Sequence, residues 1–249
     1  MGSRRFLIIT GVFMLALTCY GAGALTQTRT GVTKQSDEAA RANDAATVLT
    51  AIMEAPDQGI PEILLNRAYG LAVIPQVVKG GFGSDGLYGK GVVAQRNVDG
   101  GWGTPLFIEI GGGSFGPLLG IEATDVLLVF TNSDGINPLL KGKLKIGADL
   151  SATAGPVGRK AETGTALLKS AIYSYSRAKG TLAGIAFDGV VMQLDDDANT
   201  AAYGKTTVAA DISKSRVGEA ALQVVQPFLN ALQKYAPAGP LKLNITNRR

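Results

Sequence analysis

The chain is predicted to form an α+β domain. Its core would be a curved, mostly antiparallel β-sheet of glycine-rich hairpins, open or closed toward a barrel, with N-terminal and C-terminal helices packed on it. Three observations predict this. Short β-branched apolar runs recur between glycine clusters, as at Leu71-Ala72-Val73-Ile74, Gly91-Val92-Val93-Ala94 and Asp125-Val126-Leu127-Leu128-Val129-Phe130. Helical periodicity is concentrated near the two ends, at 36–55 and 217–235. Glycine is abundant, 33 of 249 residues, and a hydrophobic content of 46% is enough for one sizeable core.

Residues 1–24 stand apart from this body. Arg4 and Arg5 precede an uncharged apolar run, Phe6 to Tyr20, that is short for a span of about 20 residues. Ala22-Gly23-Ala24 then supplies a small-residue cleavage pattern. A secretory signal peptide cut after Ala24 accounts for the segment and implies export to the periplasm or cell envelope; an uncleaved N-terminal anchor is the alternative. Cleavage takes two of the 24 basic residues and no acid, leaving a net charge of +2. It also removes Cys19, the only cysteine, and the chain has no histidine. Zinc sites built from Cys and His, thiol nucleophiles and Ser-His-Asp catalysis are therefore excluded from the mature chain.

Residues 25–35 read as a polar lead-in, 36–235 as the domain and 236–249 as a tail. Ser36-Asp37-Glu38 opens a helix whose Val48, Leu49, Ile52 and Met53 share a face. Its polar face carries Asp37, Glu38, Asp44 and Glu54 against Arg41, which suits docking on a sheet better than on anionic lipid. Pro61 begins a second short helix. Six glycines from Gly80 to Gly91 then join the Leu71 and Gly91 strands as a bulged hairpin. The Gly81-x-Gly83-x-x-Gly86 spacing within it mimics a dinucleotide fingerprint, but no helix-forming stretch follows.

Gln95 to Trp102 is a turn, and Pro105 to Ile110 a strand. Gly112-x-Ser114-x-Gly116 resembles a nucleophile elbow. Without histidine, Ser114 has only a lysine to serve as base, and a glycine-rich turn is the preferred reading. Ile136 to Leu140 is a short turn or helical turn. Lys141, Lys143 and Lys145 fall at i, i+2 and i+4, which on a strand puts all three on one face spanning about 13 Å. Ile172 to Arg177 alternates aromatics with serines, turns at Ala178-Lys179-Gly180, and has Gly184 to Met192 as its expected hairpin partner. Asp195-Asp196-Asp197-Ala198-Asn199 partly fits a calcium loop. However, Thr200 and Thr206 stand where that loop needs Gly and Glu, so an acidic helix cap is expected and no metal. Val217 to Tyr235 is a helix kinked or split at Pro227.

Charge is uneven: residues 25–138 carry 7 basic and 12 acidic side chains, residues 139–249 carry 15 and 8. An acidic surface would be met by a basic patch, not by the whole field. No aromatic–basic interleaving points to nucleic acid.

Taken together, the segments resemble the SYLF domain, a lipid-binding family of secreted or lipid-anchored bacterial proteins and of eukaryotic membrane-trafficking and actin-patch proteins. The matching runs are Val73-Ile74-Pro75, Val78-Lys79-Gly80-Gly81-Phe82-Gly83, Tyr88-Gly89-Lys90-Gly91 and Gly101-Trp102. They continue with Gly112-Gly113-Ser114-Phe115-Gly116, Thr124 to Phe130, Gly147-Ala148-Asp149, Ala154-Gly155-Pro156-Val157-Gly158-Arg159, and Tyr173 to Gly180 leading to Asp188-Gly189. The match runs from about Glu38 to Tyr203. One departure is Leu118, where the family commonly has glutamine.

The resemblance implies phospholipid binding without enzymatic activity or cofactor. Phosphoinositides are the reported ligands of eukaryotic relatives; phosphatidylglycerol or cardiolipin fits a bacterial periplasm. The expected headgroup contacts are Lys79, Lys90, Lys141, Lys143, Lys145, Arg159, Arg177 and Lys179, with backbone nests in the glycine loops. The alternative is a protein-interaction or envelope-scaffolding module, since some relatives bind cytoskeletal protein.

Overall fold

The computed structural model describes residues 36–55, 59–80, 86–112, 114–115, 123–158, 169–178, 180–185, 187–204 and 218–237. Helix α1 (Asp37–Met53) starts where expected: the Ser36 hydroxyl accepts from the Ala39 amide at 3.2 Å, and Asp37 and Glu38 occupy the first turn. It buries Ala42, Ala45, Val48, Leu49 and Ile52. After the short α2 (Glu62–Asn66) come β1 (Gly70–Gly80), β2 (Gly86–Gln95), β3 (Leu106–Gly112), β4 (Ser114–Phe115) and β5 (Thr124–Phe130). Helix α3 (Ser133–Leu140) is followed by β6 (Lys143–Ile146), β7 (Ala152–Ala154), β8 (Ile172–Ala178), β9 (Thr181–Gly184), β10 (Phe187–Asp188) and β11 (Val190–Leu194). Helix α4 (Asp196–Tyr203) and α5 (Glu219–Tyr235) complete the described order. Helix α5 runs unsplit through Pro227, so that residue costs one internal hydrogen bond without ending the helix.

The strands run β4-β10-β7-β8-β5-β1-β2-β3-β11-β6, with β9 on β8. One residue separates β3 from β4 and one separates β10 from β11, so the pairing of β3 with β11 continues as β4 with β10. Strand β10 also bridges β7, and β7 pairs β8. The path thus nearly returns on itself as a barrel-like sheet, antiparallel except for β7 with β8. The α+β, mostly antiparallel expectation holds.

Two apolar clusters lie on the two faces of the sheet. Leu71, Val73, Val92, Ala94, Phe107, Leu127 and Val129 point outward beneath α1, α2 and α5. Ala72, Ile74, Val93, Ile108, Leu128 and Met192 point inward, closed by Ile136 and Leu139 of α3. Burial on both faces explains the uninterrupted apolar run at Leu71 to Ile74. The β1–β2 ladder shifts register between Val73 and Val78 and the β1–β5 ladder between Ile74 and Val77, so the bulge lies on β1 at Pro75 and Gln76 and not in the glycine-rich segment. A Cβ at Gly91 would come within 2.8 Å of the Ile74 Cα, so glycine permits this close crossing. Strand β2 follows Gly86 directly, which removes the dinucleotide reading.

Two expectations are corrected. Residues 184–192 do not return as one partner for β8. Strand β9 pairs β8, whereas β11 lies between β3 and β6, with Val190 and Met192 in the inner core. The three-lysine strand is also shorter than expected. Helix α3 reaches Leu140, the Lys141 amide donates to the Asn137 carbonyl at 3.0 Å, and Gly142, at φ +122°, turns the chain into β6. Lys141 therefore lies before the strand, and only Lys143 and Lys145 alternate on it. Among the described residues, no helix is long and apolar enough to cross a membrane.

Candidate functional site

The helices cover only part of the outward face. At the far end, where β1 ends and β2 begins, the registers define two rows of outward residues. Lys143 lies opposite Gln193, Gln193 opposite Glu109, and Glu109 opposite Lys90. Lys145 lies opposite Val191, Val191 opposite Gly111, Gly111 opposite Tyr88, and Tyr88 opposite Val78. Side chains alternate faces along a strand, so each row shares the face that carries Phe107, Val92 and Ala94 under the helices. Val78 and Tyr88 are 43% and 47% exposed, unusual for large apolar groups in strands. Lys143 and Lys145 are exposed and make no ion pair among the described residues.

A shallow cup of about 260 Å³ lies between the rows, lined by Tyr88, Gly111, Val191 and Lys143 and bordered by Glu109 and Gln193. The Gln193 amide donates to Glu109 Oε1 at 2.6 Å, which occupies part of that carboxylate. A second groove, about 400 Å³, runs between α1 and the β1–β2 hairpin past Gln76, Val78 and Tyr88 to Arg41 and Lys90. Its far wall is held by Asp125, which accepts from the Gln76 amide at 3.1 Å and pairs with Arg177 at 3.4 Å. Gln76 has φ +49°, a left-handed conformation that costs a non-glycine residue energy; the Asp125 bond helps hold it there.

The covered and uncovered parts meet at Asp195. Its Oδ2 accepts from Arg41 and from Lys90, each at 2.8 Å, and its Oδ1 accepts from the Ala198 amide at 3.2 Å. Burial works to raise this carboxyl's pKa, but the hydrogen bonds from Lys90, Arg41 and the Ala198 amide outweigh it, and the pKa falls below its ordinary value. The same bond raises the pKa of Lys90. Arg41 also lies over the Phe107 ring, 5.4 Å from its centre. Asp195 thus ties α1, β2 and α4 together, and as N-cap it fulfils the expected acidic cap. Among the described residues, no group of His, Cys, Asp or Glu could hold a metal.

Of the eight predicted contacts, the structure brings Lys90, Lys143 and Lys145 onto one sheet face. Lys90 is already engaged by Asp195, whereas Lys143 and Lys145 have no ion pair among the described residues. Lys141 is exposed as the C-cap of α3, before the strand begins. Arg177 closes β8 and pairs with Asp125. Lys79 lies in β1 opposite Leu87, but its side chain, like Arg159 and Lys179 altogether, lies outside the described residues. Ser114 pairs with Asp188 as a strand residue, not at the strand-to-helix turn that an elbow requires.

Sequence reasoning missed Asp195 as an ionic hub, Tyr88 and Val78 as exposed apolar groups, and Arg96. Arg96 is 5% exposed and has no carboxylate partner among the described residues. It donates instead to the carbonyls of Leu65, Ala68, Gly100 and Ala236 and stacks on Trp102 at 4.3 Å. These carbonyls include ones at the ends of α2 and α5, where helix dipoles favour a cation. The Trp102 indole also donates to Ala236, at 2.8 Å, so Arg96 and Trp102 together anchor the end of α5.

Residues 111–235 match the family model described as "Ysc84: Las17-binding protein actin regulator". The chain is 33% identical over 184 residues to LAS seventeen-binding protein 3 of Saccharomyces cerevisiae, covering 72% of this chain and 39% of that protein. It is 34% identical over 165 residues to Protein YSC84 of the same yeast, covering 65% and 35%. It is 32% identical over 178 residues to the human SH3 domain-containing YSC84-like protein 1, covering 69% and 52%. The chain therefore spans about a third to a half of the length of these relatives. It belongs to the Ysc84 family, the family of the SYLF domain.

Proposed function

We propose that this chain is a non-catalytic module that docks on anionic phospholipid through the uncovered sheet face. The observation that carries this reading is the pair of unpaired, exposed lysines, Lys143 and Lys145, beside the exposed apolar Val78 and Tyr88. A cation near an anionic bilayer surface contributes about 1 kcal/mol, so the two lysines together contribute about 2 kcal/mol, roughly thirtyfold in affinity. The resemblance to lipid-binding SYLF domains points the same way, as does a mature chain lacking imidazole and thiol. The N-terminal pattern supports export, which puts phosphatidylglycerol or cardiolipin within reach. Co-sedimentation of the purified chain with phosphatidylglycerol-containing and neutral phosphatidylcholine vesicles tests this. Binding is expected to the anionic vesicles and to fall at least about tenfold on Lys141/Lys143/Lys145→Glu. Equal binding to both vesicle types would overturn the reading.

A second reading follows from the names of the relatives, which describe proteins that bind Las17 and regulate actin. On it, the exposed Val78 and Tyr88 anchor a protein partner rather than lipid. A partner that co-purifies from envelope extract with the wild-type chain, and is lost on Tyr88→Ala, favours this second reading.

A further inference from the structure

We propose that the cup beside Lys143 receives the glycerol–acyl segment of the same anionic phospholipid whose phosphate meets Lys143 and Lys145, so that the lipid is recognised beyond its headgroup. This rests on the lipid-docking reading above and names where the apolar part of the ligand goes. The cup of about 260 Å³ sits in the centre of the uncovered face. Its floor is open because position 111 is glycine: a Cβ there would meet nothing nearer than the Leu87 carbonyl oxygen, at 3.9 Å. Val191 and the half-exposed Tyr88 flank that floor on the two neighbouring strands.

Charge around the cup is one-sided. On the β2 side, Lys90 shares the single carboxylate of Asp195 with Arg41, and the Glu109 carboxylate accepts a hydrogen bond from the uncharged Gln193 amide. On the β6 side, Lys143 and Lys145 are exposed and unpaired among the described residues. Two strand steps separate Lys145 from Gly111 at the backbone, about 10 Å. A ligand with one anionic end and an adjoining apolar stem, lying across the strands, matches this arrangement. A headgroup alone leaves the cup empty, and a purely apolar group leaves the lysines unused.

The test compares two soluble probes on the full chain by calorimetry: dioctanoyl-phosphatidylglycerol below its micelle concentration, and glycerophosphoglycerol, which lacks the acyl chains. The wild-type chain is expected to prefer the acylated probe by at least about tenfold, the yield of burying about two methylenes. Gly111→Leu fills the cup from a position with room for a side chain, and Tyr88→Ala removes its wall. Both are expected to erase that preference. Melting curves close to wild type establish that both variants are folded. Equal wild-type affinity for the two probes, or a preference that survives both substitutions, would overturn the cup while leaving the surface reading standing. Wild-type vesicle binding by the Lys143/Lys145→Glu variant would remove that surface reading, and the cup with it.

Discussion

Strands β1, β2 and β3 each carry two different outward surfaces. Toward one end their outward residues are Leu71, Val73, Val92, Ala94 and Phe107, all essentially inaccessible beneath α1, α2 and α5. Toward the other end they are Val78, Tyr88, Lys90, Glu109 and Gly111, exposed or half-buried. The β2–β3 ladder is continuous through both, so the difference lies in what covers it. One end is a core; the other combines cations, an aromatic and a glycine floor in the way a binding surface does. Asp195 marks the boundary, holding Arg41 of α1 to Lys90 of β2.

The comparison can be broken most forcefully from the covered side. Phe228 of α5 is fully buried in the outer apolar cluster, so Phe228→Ala is expected to cost about 4 kcal/mol of stability in chemical denaturation. Vesicle binding by the fraction that remains folded should be unchanged.

At the boundary, Asp195→Asn leaves Arg41 and Lys90 without their counter-charge. The expected cost is about 2–3 kcal/mol, reduced because Lys90 is 40% exposed. The pH dependence has a definite sign. Because the folded carboxyl is held below its ordinary 3.8, its stabilisation is fully present above about pH 3.8 and is lost as pH falls through the lower, folded value. Melting temperature followed from pH 6 to pH 2 should therefore drop more in the wild type than in Asp195→Asn. Equal slopes would mean that Asp195 is not charged in the folded protein.

On the uncovered side, Lys143/Lys145→Glu should lower anionic-vesicle affinity by tenfold or more while changing stability by less than about 0.5 kcal/mol, since both side chains are exposed and unpaired. The smallest effect belongs to the exposed Lys234–Glu54 pair, which joins α5 to the residue capping α1. Lys234→Ala should leave the denaturation midpoint and vesicle binding as they are, because the pair is fully exposed to solvent.

Local signals made much of this legible in advance. Ser36 with Asp37 and Glu38 announces α1, the 3.6-residue pattern from Val48 to Met53 gives its buried face, and the apolar runs at Leu71 and Val126 give two central strands. The partner of β11 was not legible, because Val190 to Leu194 fits β8 by pattern as well as it fits β3 and β6, and strand pairing is decided by the whole sheet. Alternation revealed Lys143 and Lys145. The loss of Lys90 to Asp195, 105 residues away, leaves no mark in either local sequence. Tyr88 reads as an ordinary strand aromatic, and its exposure depends on where α1 and α4 stop. Arg96 looks like a turn arginine until the folded chain surrounds it with four carbonyls.

Lysine-acetylation footprinting on phosphatidylglycerol vesicles, read residue by residue, tests the division of the sheet most directly. Lys143 and Lys145 should become protected when vesicles are added, while Lys234, 62% exposed on the helical side, should label as it does in free solution. Protection of Lys234 with Lys143 and Lys145 still labelled would mean that the helices, not the uncovered strands, meet the membrane.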